Sequence, residues 1–250
     1  MTTWVDSHCH LHMSEREPED LLERARLAGV GWVVCPGTDV AGSEASARLA
    51  AAHPGVVLST AGLHPHDAAM WPEQRERIES MAVDASAIGE CGLDFYRDLS
   101  PRDAQRSAFR GQLELAGSLD KPIIVHCRDA FAEVHEDIEA SGHGRVVLHC
   151  WTGGPKWTKR FDELGVTFSF AGPITFAGGD TVRRAAAVVP RERTMVETDT
   201  PYLTPPPDRA LPNEPANVVR VGAALAEVWG VPVDEVARLT TAAAERVFRG

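Results

Sequence analysis

Short runs of apolar and β-branched residues alternate along the chain with longer segments whose apolar positions recur at helical spacing. Eight runs read as buried strands, over residues 4–7, 31–35, 56–61, 87–89, 122–125, 146–148, 166–170 and 194–196. Between them the clearest helical stretches are 18–28, 41–52, 101–119, 129–140 and 180–189. A proline-rich loop over 201–215 follows the last strand, and helical stretches over 216–229 and 233–249 finish the chain. Strand then helix, repeated, predicts a parallel sheet covered by helices. Eight such units in 250 residues predict a closed (β/α)8 TIM barrel. The rival architecture is an open doubly wound sheet, but no glycine-rich phosphate loop of the G-x-G-x-x-G or Walker type follows the first strand. With no linker, low-complexity tract or short repeat in view, residues 1–250 are expected to form a single domain.

Composition narrows the class. At 44% hydrophobic residues the chain can bury a large core. A formal net charge of -11 argues against holding a long nucleic acid through a broad basic surface, although bound divalent cations would reverse the potential locally. The first residues lack a basic region followed by an apolar stretch, and no later stretch approaches a membrane span. Five cysteines, an odd number, fit reduced thiols, and a cytoplasmic protein with no obligate protein partner is expected.

The candidate chemistry gathers where strands end. In Trp4-Val5-Asp6-Ser7-His8-Cys9-His10 an extended backbone turns His8 and His10 to one face and Cys9 to the other. The third strand runs into Gly62-Leu63-His64-Pro65-His66 and the fourth into Glu90-Cys91-Gly92-Leu93-Asp94. The fifth ends at His126, the sixth at His149 and the eighth at Glu197-Thr198-Asp199. In a parallel barrel these ends open on one face, where active sites are built. One His-x-His is a weak signal; imidazoles and carboxylates at six strand ends are a specific one.

Four histidines (His8, His10, His126, His149) with Glu90 and Asp199 suit divalent ions of the zinc, manganese or magnesium kind. The donor count exceeds what one tetrahedral ion needs, so two ions are expected, with Glu90 bridging them. Ions spaced about 3.5–4 Å apart hydrolyse phosphate esters or amides. Cys9, Cys91, Cys127 and Cys150 each neighbour a proposed ligand, and on a strand they would point outward as small hydrophobes under the helices.

Six ordered motifs carry a resemblance. They are His8-Cys9-His10, Gly62-Leu63-His64-Pro65-His66, Gly89-Glu90-Cys91-Gly92-Leu93-Asp94, Val125-His126-Cys127-Arg128-Asp129-Ala130, Leu148-His149-Cys150-Trp151-Thr152-Gly153 and Glu197-Thr198-Asp199-Thr200-Pro201-Tyr202. Together they resemble the TatD family of metal-dependent hydrolases over nearly the whole chain. The resemblance implies an amidohydrolase-type barrel, a dinuclear site and deoxyribonuclease activity. It also implies that His8, His10, Glu90 and Asp199 hold one ion, and Glu90, His126 and His149 the other. One departure follows the eighth strand: the family usually reads Arg-Gly-x-Arg-Asn-Glu-Pro, where this chain has Arg209-Ala210-Leu211-Pro212-Asn213-Glu214-Pro215. Pro212 thus removes a basic residue near the mouth, leaving Arg128 and Arg209 to meet an anionic substrate.

The expected reaction is attack of an activated water on a phosphodiester, with Asp199 as general base. His64 and His66 would touch the scissile phosphate, or one would orient a ligand. Tyr202 and Trp151 would stack bases, whereas Trp157 would pack. Asp94 and Asp129 would orient ligands or cap helices, with Asp129 the cap. The substrate expected is DNA, held transiently at single-stranded or frayed ends. The alternative is an amide or ester hydrolase using the same ions, because a fold does not fix a substrate. A non-catalytic metal scaffold would call for a missing ligand, and none is missing.

Overall fold

A computed structural model of the chain describes residues 3–250, so the first two residues of the expected 1–250 unit lie outside the described residues. The strands are β1 (Trp4–Asp6), β2 (Val30–Cys35), β3 (Val57–Ala61), β4 (Ala87–Asp94), β5 (Ile123–Arg128), β6 (Val146–Leu148), β7 (Thr167–Phe170) and β8 (Thr194–Val196). Each pairs in parallel with the next, in the order β1 to β8. The seam between first and last strands is joined by Ser7 N to Val196 O at 3.1 Å and Asp199 N to His8 O at 2.9 Å. This is the (β/α)8 barrel that the alternating pattern predicts.

Helices α1 (Pro18–Leu27), α2 (Val40–Ala52), α3 (Trp71–Ala82), α4 (Arg102–Leu119), α5 (Phe131–Ser141), α6 (Pro155–Glu163), α7 (Asp180–Ala186), α8 (Val218–Trp229) and α9 (Val233–Phe248) accompany them. α3 and α6 lie outside the clearest helical stretches; both begin with proline in the first turn and bury only a narrow face. α1 shows the usual logic. Pro18 occupies the first turn, Glu19 and Asp20 offset the helix dipole, and Leu21, Leu22 and Ala25 form the buried stripe.

Strand alternation divides the core in two. One set of side chains packs outward against the helices, Val33, Ile88, Val125, Leu148, Phe168 and Val196 among them. The opposite set (Val5, Trp32, Val34, Ala87, Ile124, Val147, Met195) joins Ala243, Ala244 and Phe248 of α9 in a separate cluster. α9 therefore seals the N-terminal end with apolar contacts, and Trp32 Nε1 donates to Glu245 at 2.8 Å. Chemistry is left to the other end.

The strand bounds expected around the candidate ligands shift in two places. β1 ends at Asp6, yet Cys9 N still donates to Val34 O at 2.9 Å, so the extended run reaches the histidines. β4 does not stop at Gly89 but runs to Asp94, with its register shifting between Ile88 and Cys91. The glycines that read as a strand end are part of the strand. Gly92 has φ +130, and a Cβ there would strike the His126 carbonyl oxygen, so glycine lets β4 pass β5 at the level of the site.

Candidate active site

Two-residue periodicity builds one wall. On β5, Ile124 belongs to the apolar cluster inside the barrel, while His126 and Arg128, two and four residues on, line a cavity at the C-terminal mouth. β6 repeats this with Val147 inside and His149 just past the strand end; after β8, Met195 is followed by Glu197 and Asp199. Asp199 has φ +58, a left-handed conformation that short polar residues tolerate better than others. Two buried glutamines of α4 fix the loops carrying other site residues. Gln105 accepts from Asp94 N at 2.9 Å, and Gln112 accepts from Leu63 N at 2.8 Å and donates to Leu63 O at 3.0 Å, beside His64.

The cavity has a volume of about 580 Å³, and Glu90 lies at its floor. The two Glu90 oxygens face different groups. Oε2 is 3.2 Å from His8 Nε2 and 3.5 Å from His10 Nε2, and His10 Nε2 is 3.4 Å from Asp199 Oδ1. Oε1 is 2.9 Å from His149 Nε2, 3.0 Å from His126 Nδ1 and 3.3 Å from His64 Nε2. Within each group two imidazole nitrogens face one another at 3.2 Å, His8 with His10 and His126 with His149.

The donors fit a divalent ion. Three overlapping sets, His8/Glu90/His149, His8/His10/Asp199 and His64/Glu90/His126, each bring their ligand atoms within 4.8 Å of one another. Nitrogen and carboxylate oxygen together suit zinc, manganese or related ions.

The buried charges are strongly coupled. Burial would raise Glu90, but His149, His64 and His8 together with the hydrogen bond from His126 outweigh it and hold the carboxyl well below the usual range. Burial would likewise lower His149, yet the charges of Glu90 and Glu197 win and hold its pKa well above normal. His64 goes the other way: burial brings it down to about 4, despite Glu90. Burial would raise Asp199, but the hydrogen bond from His10 and the histidines around it keep it low and ionised.

The predicted residues divide on inspection. His8, His10, Glu90, His126, His149 and Asp199 come together, and His64, expected against substrate, stands among the metal donors. His66 lines the cavity with its Nε2 2.9 Å from Asp94 Oδ2. Arg128 and Tyr202 also line it, Tyr202 being 54% exposed. Trp151 is a correction: at 1% exposure it packs on Phe131, Phe161 and Phe168 and donates to Thr158 at 2.9 Å, so it offers no face to a base. Trp157 packs in the same aromatic group, as expected.

Arg209 is a second correction. Its guanidinium lies 3.5 Å over the Phe176 ring on the exposed outer loop and is not among the residues lining the cavity. Pro212 is exposed on the same loop, while its neighbour Asn213 is buried and donates to Thr198 O at 2.8 Å and Tyr202 O at 2.7 Å. Asp129 does not cap α5. It is exposed, and the residue before the helix is Ala130, with no side-chain cap. Cys9 and Cys91 are packed in the core as expected; Cys127 joins the same core yet also lines the cavity, and Cys150 lies on the cavity wall with φ +42. The turn at Cys150 follows the strand's end, so alternation no longer sets its direction.

Two buried carboxylates escaped sequence reasoning. Glu197 accepts from His149 Nδ1 at 3.1 Å and from Cys150 N at 2.9 Å. Asp6 accepts from Thr198 N at 2.9 Å, Thr198 Oγ1 at 2.6 Å and His8 N at 3.3 Å, tying β1 to the chain after β8. Their position beside His8 and Asp199 in the motifs was the available signal. Tyr96 and Arg97, beyond β4, were missed too.

The family described as TatD related DNase matches residues 5–249. The chain is 33% identical over 251 residues to the Bacillus subtilis protein YabD, named an uncharacterized metal-dependent hydrolase, covering 98% of each. It is 39% identical over 210 residues to a Rahnella protein named 3'-5' ssDNA/RNA exonuclease TatD, covering 81% of this chain and 78% of that one. The crystal structure of the Escherichia coli TatD homolog YJJV superposes with a TM-score of 0.88 at 28% identity, covering 99% and 98% of the two chains.

Proposed function

Because the chain belongs to the TatD related DNase family, we propose that it is a metal-dependent nuclease that removes nucleotides from single-stranded or frayed ends of DNA. The observation that carries the reading is Glu90, whose two oxygens face two separate donor groups. That placement supports two ions per chain, one held by His8, His10, Glu90 and Asp199 and the other by Glu90, His126 and His149, with His64 beside the second.

Bound there, divalent ions supply Lewis acidity, which eases loss of a proton from water and offsets charge on a phosphoryl group. The protein's own groups do the rest. Asp199, ionised and at the cavity wall, accepts the proton of the attacking water through its carboxylate. Glu197 and Asp94 hold His149 and His66 in orientation. Arg128 and Tyr202 meet the substrate at the mouth, and the buried floor around Glu90 keeps bulk water from the reacting phosphate. The net charge of -11 favours short engagement at an end over a long footprint.

The test is release of mononucleotides from end-labelled single-stranded DNA by metal-stripped protein, with magnesium, manganese or zinc added back and Glu90→Ala beside it. Metal-dependent release that disappears in the variant is expected. Protein that binds metal and releases nothing would overturn the nuclease and turn attention to carbonyl esters and amides.

A further inference from the structure

We propose that Tyr96, Arg97 and Arg128 form a second nucleotide subsite beside the metal donors, taking the base and phosphate of the nucleotide next to the one being removed. This rests on the nuclease reading and names the substrate feature that the same mouth selects: an adjoining nucleotide with its base intact.

The first observation concerns charge. Arg97 and Arg128 both line the cavity, and among the described residues neither guanidinium has a carboxylate within 4.0 Å. Many arginines elsewhere are paired with carboxylates, Arg24 with Glu214, Arg106 and Arg110 with Asp137, and Arg193 with Asp162, and the others that lack such a partner do not line the cavity. In a chain of net charge -11, two arginines without ion partners on one cavity wall are cations left for an anion.

The second observation concerns a ring. Tyr96 is 60% exposed, and the Arg128 guanidinium lies 4.0 Å over its ring. Among the described residues no other ring or cation stacks on Tyr96, which leaves the second face of this exposed ring without an aromatic or cationic neighbour; Tyr96 does not itself line the cavity, but its neighbours Arg97 and Arg128 do. The backbone that carries the ring is held in place. The amides of Tyr96 and Arg97 both donate to Asp94 Oδ1, at 3.0 and 2.8 Å, and Phe95 N donates to Arg128 O at 2.9 Å. A ring carried on a fixed backbone and backed on one face by Arg128 loses little freedom when a base settles on its other face.

The third observation is spacing. Arg128 follows His126 by two residues on the same face of β5, which places it about 6.6 Å nearer the mouth at the usual rise per residue. That is close to one phosphate step along an extended single strand. A strand with its reacting phosphate at Glu90 would bring the next phosphate to Arg128 and the neighbouring base to Tyr96. Stacking accepts every base, so the subsite reads the presence of a base and not its identity.

The test uses metal-loaded protein and two short single-stranded oligonucleotides, one intact and one with an abasic residue beside the terminal nucleotide, each made for both ends. Wild type should favour the intact strand about tenfold in kcat/KM, within the range base–aromatic stacking gives, and chiefly through KM. Tyr96→Ala should bring the ratio close to one, while Tyr96→Phe and, on the same loop, Leu99→Ala keep it. Arg128→Ala should raise KM for both strands alike and flatten its log–log salt dependence by about 0.7, as expected for one lost phosphate contact. A wild type without the preference, or a Tyr96→Ala that retains it, overturns the subsite and leaves the nuclease standing. No nucleotide released from either strand with any metal overturns both.

Discussion

Glu197 accepts a hydrogen bond from His149 Nδ1 at 3.1 Å, which turns the opposite nitrogen of that ring toward Glu90 at 2.9 Å. The carboxylate is fully buried, so its effect on the imidazole is little screened by water. Glu197→Gln should leave the fold intact and weaken metal binding by about 10–100-fold, the usual cost of losing a group that orients a ligand. Competition against a chromogenic chelator measures it. An unchanged affinity would remove Glu197 from any role in holding His149.

Glu90 serves both donor groups, so its loss should not act like the loss of one ligand. Wild-type protein is expected to retain two zinc or manganese ions per chain after gel filtration, and Glu90→Gln one or none, by elemental analysis. In parallel, a free metal concentration one hundred times its Kd should stabilise the wild type by about 2.7 kcal/mol against chelator-treated protein. Two ions retained by the variant would rule out the bridging arrangement.

Asp6 closes the barrel seam with acceptors for two backbone amides and one hydroxyl. Asp6→Ala leaves the two buried amides without a partner, while the Thr198 hydroxyl can still turn to Thr200 Oγ1 at 2.7 Å, at a cost of roughly 3 kcal/mol in urea unfolding. Burial pushes the Asp6 carboxyl well above the usual range, ahead of the opposing hydrogen bonds from Thr198. A neutral amide is therefore close to the form the site favours, and Asp6→Asn should cost less than half as much. Equal losses for the two variants would contradict this account.

Glu214 ties the loop after β8 to α1, accepting from Arg24 at 2.6 Å through both oxygens and from Arg16 at 2.9 Å. The hydrogen bond from Arg24 is the main reason its carboxyl is held below the ordinary glutamate value. A lowered pKa in the folded protein means that the tie is fully present above about pH 4.3 and is lost as pH falls through the lowered value. Amide exchange in the loop, corrected for its intrinsic pH dependence, should accelerate in that acid window. Arg24→Ala should show the faster exchange already at neutral pH, and identical exchange in the two proteins would sink the idea.

What the sequence reveals about this site depends on how local each signal is. His126 and His149 were readable because a period of two carries the inward direction past the last apolar strand residue. Glu90 was readable as a candidate ligand but not as part of a strand, because glycines at 89 and 92 signal a break in sequence and a register shift in space. Trp151 and Tyr96 follow their strands in similar ways, yet one is buried and the other stands exposed to solvent. Only the aromatic neighbours contributed by α5, α6 and β7 decide the first case, and no local pattern contains them. Asp6 and Glu197 were invisible in role because their partners lie 192 and 48 residues away.

The donor set takes His8 and His10 from the beginning of the fold and Asp199 from beyond its last strand. During synthesis the histidines leave the ribosome long before the aspartate has been made. A nascent chain therefore carries a partial donor set, and the proposed metal site is complete only once residue 199 has emerged and the eighth strand has met the first. With that proposed donor set, hydrolytic capacity would arrive late in translation, together with closure of the barrel, and a prematurely terminated chain ending before that point would lack a donor of the site.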